Sequence, residues 1–257
     1  MNDLTALSDW AQVTLWTGFL VFLRVGAIMA VMPAFGERVV PARIKLVVAL
    51  AFTFIVAPAA AAQFDLPPQN VGTMARFAVT EVIVGLALGL AIRLFILAVQ
   101  TAGSIAAQAT SLAQVLGGSA AEPMPAIGHV LTVGALALAV MTGLHVKAAA
   151  YIIFSYDVLP AGRFADAQAL SAWGTHRVAQ AFGLAFSLAA PFIIISVIYN
   201  LTLGVINKAM PQLMVAFVGA PVITLGGLFV LFAMSPMILS VWADALDSFF
   251  TAPFEMR

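Results

Sequence analysis

Three charged residues, Arg24, Glu81 and Arg93, lie inside hydrophobic stretches of this sequence. A charged side chain facing lipid at mid-membrane costs at least about 2.5 kcal/mol, so each is expected to face a partner or a water-filled path. One interpretation is an ion or proton path, as in a small secondary transporter that uses all three residues. The other is structural pairing within the chain or with a partner subunit. The structural interpretation is favoured, because Glu81 is the single carboxylate deep in a span and proton-coupled transporters usually carry more.

Small residues separate two of these charges at helical spacing. Glu81, Gly85, Gly89 and Arg93 follow one another at intervals of four residues. Gly85 and Gly89 form a G-x-x-x-G pair, which lets a second helix backbone approach closely in a membrane. The pattern predicts a packing contact at these glycines, which we assign to subunit packing.

The amino-acid composition indicates what kind of protein carries these charged residues. Of the 257 residues, 63% are apolar and 9% are charged, and the mean hydropathy is +1.08. Soluble domains carry about 25% charged residues, so this chain is predicted to be an integral membrane protein. Eleven basic and eleven acidic residues leave no excess positive charge for nucleic acid. The chain has no cysteine, which excludes disulfides, thiolate chemistry and Cys-ligated metals.

The hydropathy pattern predicts an all-α fold with about six hydrophobic helical segments, several of them kinked or broken, in a single membrane domain of residues 1–257. The predicted segments are 10–32, 44–62, 77–117, 127–154, 178–205 and 214–242. Prolines at 58, 191, 221 and 236 lie inside or at the ends of these segments and predict bends or breaks.

Two connections between the segments carry charge. A short surface helix is expected near Asp166 to Trp173, with Asp166 as its N-cap. The first connection carries Arg38, Arg43 and Lys45 against Glu37, and the positive-inside rule places it on the cytoplasmic side of the membrane.

The third segment is too long for a simple span and becomes polar along its length. As one helix, residues 77–117 would measure about 60 Å, whereas a hydrocarbon core is about 30 Å thick. At about 100° per residue, its polar side chains share one face. They are Arg93, Gln100, Ser104, Gln108, Ser111 and Gln114. The pattern indicates a helix that lines a cavity or docks on another protein. The alternative is a helix that leaves the membrane and solvates its last turns.

Catalytic motifs are missing from the sequence. His129, His145 and His176 have no metal-ligand spacing, and there is no H-E-x-x-H, G-x-S-x-G or P-loop pattern. We therefore predict that the protein is not an enzyme and needs no cofactor or metal.

Four blocks of sequence, in order and nearly spanning the chain, resemble the FliR family of flagellar biosynthesis proteins and its type III secretion counterpart, SctT. They cover residues 24–58, 80–108, 143–162 and 200–228. The most specific part is the arrangement of Asn200, Gly204, Pro211, Gln212, Gly219 and Pro221.

The resemblance implies a structural subunit of a hetero-oligomeric export gate, built from helical hairpins. Such a subunit contributes to the wall of a pore through which unfolded exported proteins pass. The implied partners are FliP-like, FliQ-like and FlhB-like subunits and membrane lipid. The implied location is the bacterial inner (cytoplasmic) membrane, at a flagellar or injectisome basal body.

The resemblance also implies a plug loop inside the pore, at about residues 108–125. Its predicted residues are Gln108, Ser111, Leu112, Val115, Leu116, Gly117, Gly118, Glu122 and Pro123. Here the sequence departs from the family, with Glu122–Pro123 where an Asp-Pro pair is usual. Subunit packing is expected at Asn200, Gly204, Pro211 and Gln212, in addition to Gly85 and Gly89.

Overall fold

A computed structural model describes residues 2–64, 71–110, 126–210 and 215–255, and within these ranges the chain forms helices and connections without a β-strand. The helices are α1 (Asn2–Val31), α2 (Ala42–Ala60), α3 (Val71–Thr110), α4 (Ala126–Met141), α5 (Leu144–Val158), α6 (Ala167–Ala209) and α7 (Val215–Thr251). A single 3-10 turn, Ala61–Gln63, follows α2. Residues 65–70, 111–125 and 211–214 lie outside the described residues, and they include the predicted end of the third segment at 111–117.

Five of the described helices are long and apolar enough to cross a membrane. These helices are α1, α2, α3, α6 and α7. The bent pair α4 and α5 adds a sixth candidate span. This confirms the predicted all-α membrane protein with about six hydrophobic segments.

The third segment is one unbroken helix to Thr110, with 40 residues. At 1.5 Å per residue it is about 60 Å long, twice the thickness of a hydrocarbon core. The described helix begins at Val71, six residues before the predicted start at Phe77.

The fourth segment, predicted as a single span at 127–154, is not one continuous helix, because α4 and α5 are bent by 71° at a short break. The helix stops at Met141, and Gly143 adopts a left-handed φ of 82°. A residue with φ above zero cannot continue an α-helix, and glycine adopts it without steric cost. The Gly143 carbonyl oxygen then accepts bonds from the Val146 and Lys147 amides at 2.9 and 3.1 Å, which begins the next helix.

The fifth segment is longer than predicted. Asp166 caps it as expected, because Asp166 Oδ2 accepts from the Ala169 amide at 2.8 Å. However, the separate surface helix and the break at Pro191 are both wrong, since α6 runs without interruption from Ala167 to Ala209. A proline removes one backbone hydrogen bond, and the bonds of the flanking turns maintain the helix.

The last segment continues nine residues past its predicted end at Trp242, to Thr251. Trp242 is 1% exposed, and its indole Nε1 donates to the Phe95 carbonyl oxygen at 2.8 Å. Trp242 therefore lies inside α7 and not at its end.

The chain divides into two compact units. Unit 1 contains Met1–Leu94, Val140–Arg177 and Ser248–Arg257, and unit 2 contains Phe95–Ala139 and Val178–Asp247. In unit 1, the buried apolar side chains include Leu20, Val25, Ile28, Met32, Val56 and Tyr156. In unit 2 they include Ile96, Val99, Leu131, Ala135, Leu188 and Phe192.

Candidate functional site

Two of the predicted in-span charges form a fully buried ion pair in unit 1. Arg24 on α1 and Glu81 on α3 are both 0% exposed. Arg24 Nε donates to Glu81 Oε2 at 2.7 Å, and Nη2 donates to Oε1 at 3.1 Å. The Gly162 amide donates to the same Oε1 at 3.1 Å. Such a two-bond guanidinium–carboxylate contact is among the stronger hydrogen-bonded pairs in proteins.

Arg24 makes two further hydrogen bonds. Nη1 donates to Ser155 Oγ at 3.1 Å, and Nη2 donates to the Leu159 carbonyl oxygen at 2.9 Å. The guanidinium carbon lies 3.7 Å from the centroid of the Tyr156 ring, in a cation–π contact. This buried charge cluster, consisting of Arg24, Glu81, Ser155 and Tyr156, joins α1, α3 and α5.

The third in-span charge, Arg93, pairs with Glu37 in the turn between α1 and α2. Its Nη1 donates to Glu37 Oε1 and its Nη2 to Oε2, and the two side chains are 24% and 21% exposed. All three charges therefore have ion-pair partners within the chain. The described structure does not favour the transporter alternative, because none of these charges is left to bind a substrate.

The close helix approach predicted at Gly85 and Gly89 is made within the chain. A Cβ on Gly85 would lie 2.6 Å from the Arg24 carbonyl oxygen, and one on Gly89 would lie 3.0 Å from the Ile28 Cα. The helix against them is α1 of the same chain. The assignment of these two glycines to subunit packing is corrected accordingly: this face of α3 is already filled.

The polar face of α3 persists to the last described turn. Gln100 and Ser104 are half-buried, and Gln108 is exposed. Arg93 forms an ion pair with Glu37, so the polar face that is available to other molecules begins at Gln100. The predicted plug-loop residues from Ser111 to Pro123 lie outside the described residues.

Two contacts of unit 2 hold the helices that flank the predicted plug loop. Near the end of α3, the Ala109 carbonyl oxygen accepts from Ser196 Oγ at 2.8 Å. This bond joins α6 to the last described turn of α3. Asn200 Nδ2 in turn donates to the Ser196 carbonyl oxygen at 2.9 Å and to Ser196 Oγ at 3.2 Å.

The second contact joins α3 to α4 through glycine backbones. A Cβ on Gly128 would lie 3.3 Å from the Gly103 Cα, and a Cβ on Gly103 would collide with Gly128 backbone atoms. Sequence reasoning missed this pair, because the two glycines are separated by the loop. The signal that could have found it is the run of small residues, TAGSIAA, at 101–107.

The residues expected to pack against other subunits have different surroundings. Asn200 uses its amide group within α6. Gly204 is exposed, with nothing within 4 Å of a Cβ placed there. Pro211 and Gln212 lie outside the described residues.

Long exposed apolar faces run along α6 and α7. On α6 they include Phe182, Phe186, Val197 and Leu201, and on α7 they include Leu225, Phe229, Phe232 and Met237. Phe232 is 82% exposed. Contiguous exposed apolar surface on this scale requires lipid or a protein partner to cover it.

Comparison with known proteins identifies the family. Residues 15–249 match the family model described as bacterial export proteins, family 1. The flagellar biosynthetic protein FliR of Caulobacter vibrioides is 35% identical, over 88% of this chain and 90% of that protein. FliR of Escherichia coli is 28% identical over 90% and 87% of the two chains, and FliR of Bacillus subtilis is 30% identical over 79% of each. The chain therefore belongs to the FliR family of bacterial export proteins, as a non-enzymatic membrane component of flagellar type III export.

Proposed function

We propose that this chain is a structural subunit of the export gate in the bacterial inner membrane, at the flagellar basal body. It contributes to the wall of the pore and supplies a plug loop that closes the pore at rest. Unfolded exported proteins pass through the pore when the gate opens. The observation that carries this proposal is α3, a 40-residue helix whose second half is polar on one face.

The pore-wall role rests on the length and polarity of α3. About 30 Å of helix is enough to cross a hydrocarbon core, and α3 is about 60 Å long. Its first half is tied into unit 1 by Glu81 and Arg93. Gln100, Ser104 and Gln108 then offer hydrogen-bonding groups without fixed charge, which suits a wall in contact with water and with unfolded chains of varied sequence.

The partner subunits are proposed to be FliP-like, FliQ-like and FlhB-like chains, with residues 1–257 acting as one membrane domain. The exposed apolar faces of α6 and α7 are the surfaces that such partners would cover. Gly204 offers room for a partner helix to approach closely. Pro211 and Gln212, which follow α6 in sequence, are assigned to the same packing region.

The plug assignment rests on the composition of residues 108–125 and on the helices at either side. Leu112, Val115 and Leu116 offer apolar side chains that could seal a constriction by excluding water. By residue type, Gly117 and Gly118 are compatible with turn conformations, and Pro123 disfavours helix at the preceding Glu122. The Ser196–Ala109 hydrogen bond and the Gly103–Gly128 contact hold the flanking helices independently of the loop.

Deleting Ser111 to Ala121 tests the proposal. The export complex should still assemble, because the flanking helices keep their own contacts, and cells should become leaky to ions or small molecules. Assembly is measured by co-purification of the partner subunits, and leakage by conductance or dye influx. A second variant replaces the eleven residues with a glycine–serine segment of equal length. It keeps the length of the connection but removes the apolar side chains, so cells that carry it should leak as well.

Normal impermeability of both variants with intact assembly would contradict the plug assignment. A chain that purified alone as a stable, monodisperse monomer would contradict the hetero-oligomeric gate, and would reopen the transporter alternative.

A further inference from the structure

The last described turn of α3, residues 107–110, is joined to α6 by a serine hydroxyl. Ser196 Oγ donates to the Ala109 carbonyl oxygen at 2.8 Å, and Ser196 is 7% exposed. On α3, Ala106 is fully buried, whereas Ala109 is half-buried and Gln108 is exposed. The burial of α3 thus decreases after Ala106, and the bond from Ser196 fixes the turn in which it decreases.

The Ser196 hydroxyl bonds differently from other hydroxyls on the same helix. Ser187 and Thr202 donate to the carbonyl oxygens four residues before them on α6, at 2.9 and 2.8 Å. Such a bond to the preceding turn is common for a hydroxyl inside a helix. Ser196 has the equivalent acceptor in the carbonyl oxygen of Phe192, yet it donates to a different helix.

Asn200, one turn further along α6, accounts for this orientation. Its Nδ2 donates to the Ser196 carbonyl oxygen at 2.9 Å and to Ser196 Oγ at 3.2 Å. A carbonyl oxygen can only accept, so the group that faces it must be the amide NH₂ and not the amide oxygen. Because Ser196 Oγ accepts from this NH₂ group, its single hydrogen remains to be donated to Ala109. Asn200 thus orients Ser196, and Ser196 contacts α3.

The start of α4 is held in another way. Its contact with α3 joins two backbones, since a Cβ on Gly128 would lie 3.3 Å from the Gly103 Cα. Ala109 lies about 9 Å beyond Gly103 along the helix. A contact between backbones does not depend on the rotamer of a side chain. A hydroxyl hydrogen bond, by contrast, is exchanged for another when the serine rotates, and its net contribution to stability is small. The end of α3 can therefore be released while α4 stays in place.

We propose that Ser196, oriented by Asn200, is a releasable latch on the last described turn of α3, and that its release accompanies opening of the gate. This inference rests on the proposed function. With the latch closed, the bond to Ala109 keeps Gln108 in its place on the polar face of α3. With the latch open, the hydroxyl donates to the Phe192 carbonyl oxygen, so neither arrangement leaves the hydroxyl unpaired. A small difference in binding is enough to shift an element with two such states.

The first measurement is hydrogen–deuterium exchange of the export complex, produced with its partner subunits and followed by mass spectrometry. Ser196→Ala should speed exchange of the amides of residues 107–110 about fivefold, which corresponds to about 1 kcal/mol for one hydrogen bond. Exchange at the start of α4 should not change. Ser187→Ala is the matched control, because it removes a hydroxyl that bonds within α6, and it should leave exchange at residues 107–110 within about twofold of the wild type.

Asn200→Asp tests the orienting role with the serine intact. A carboxylate accepts the hydrogen of the Ser196 hydroxyl and has none to donate, so it turns this hydroxyl away from Ala109. Exchange at residues 107–110 should rise as in Ser196→Ala. The double variant should show no further increase, because both changes remove the same bond. Normal exchange in Asn200→Asp, or additive increases in the double variant, would overturn the orienting role.

The second measurement is dye influx at rest in cells that carry the same variants. Ser196→Ala and Asn200→Asp should raise influx by up to about fivefold, because the closed state loses at most the free energy of one hydrogen bond. The amount of assembled complex and the influx of Ser187→Ala cells should match the wild type.

Unchanged exchange in Ser196→Ala would overturn the latch. Faster exchange without leakage, in cells where the deletion of Ser111 to Ala121 does leak, would overturn its link to opening. If that deletion leaves cells impermeable, the plug assignment fails, and the exchange at residues 107–110 still decides whether Ser196 holds the end of α3.

Discussion

Replacing Glu81 by glutamine should strongly destabilise the chain, although the change is nearly isosteric. Glu81 Oε1 accepts from Arg24 Nη2 and from the Gly162 amide, while Oε2 accepts from Arg24 Nε. A glutamine has one acceptor oxygen. With that oxygen at the Oε1 position, its NH₂ group would face the Arg24 Nε–H across the space of a 2.7 Å hydrogen bond.

The magnitude follows from burial. Both side chains are 0% exposed, so Arg24 would keep its charge inside the protein without a carboxylate. Removing one partner of a buried ion pair costs about 3–5 kcal/mol, because the other charge is left uncompensated. Arg24→Gln should cost a similar amount and also weaken the bonds to Ser155 and Leu159. In the double variant Arg24→Gln/Glu81→Gln, no charge is left unpaired, and its loss should be at least about 2 kcal/mol smaller than the sum of the single losses.

The assay is unfolding of the purified export complex by titration with sodium dodecyl sulfate in mixed micelles, with the amount of chain in membranes as a second readout. Arg93→Gln, Glu37→Gln and their double variant form the matched control, because that pair is about one-quarter exposed. Exposed pairs contribute about 0–1 kcal/mol, so the control cycle should show little coupling. Additive losses in the Arg24–Glu81 cycle, or a Glu81→Gln variant as stable as the wild type, would refute the reasoning.

Two further substitutions probe contacts that the sequence did not reveal. Gly103→Ala should destabilise the contact between α3 and α4 by several kcal/mol, because the new Cβ would meet the Gly128 backbone. The control Gly226→Ala has open space at its Cβ and should change stability by about 1 kcal/mol or less. Thermal unfolding of the complex separates the two variants, and equal effects would contradict the close backbone contact. Arg177→Met should loosen the carboxyl-terminal residues, since Arg177 Nη2 donates to the Pro253 and Glu255 carbonyl oxygens at 2.7 and 2.9 Å. Limited proteolysis should cut the carboxyl terminus of the variant several times faster than that of the wild type. Unchanged cleavage would mean that these two hydrogen bonds do not hold the terminus.

The sequence by itself determined the class of protein and most of its elements. A chain that is 63% apolar must bury its hydrophobic segments in lipid or against partners, so the six segments could be read from hydropathy alone. The continuity of the helix from Phe77 to Thr110 and the capping role of Asp166 followed from local patterns, because a helix and its N-cap depend on residues a few positions apart. The four blocks of family resemblance were also a property of the sequence.

Helix breaks were less accessible to local reasoning. Pro191 suggested a break and α6 continues through it, while Gly143 gave no warning and ends α4. Considered without its surroundings, each of these two residues is compatible either with a continuous helix or with a break. The outcome depends on whether neighbouring packing stabilises the interrupted backbone, which a local pattern does not contain.

Only the tertiary structure decided which distant residues meet. The sequence showed that Arg24 and Glu81 needed partners, because an unpaired charge in a span is costly, and the fold paired them with each other across 57 positions. It likewise placed α1 of the same chain against Gly85 and Gly89, where the sequence analysis assigned the contact to another subunit. Side-chain type and spacing set what each residue requires, whereas the partner is set by the packing of helices far apart in the chain.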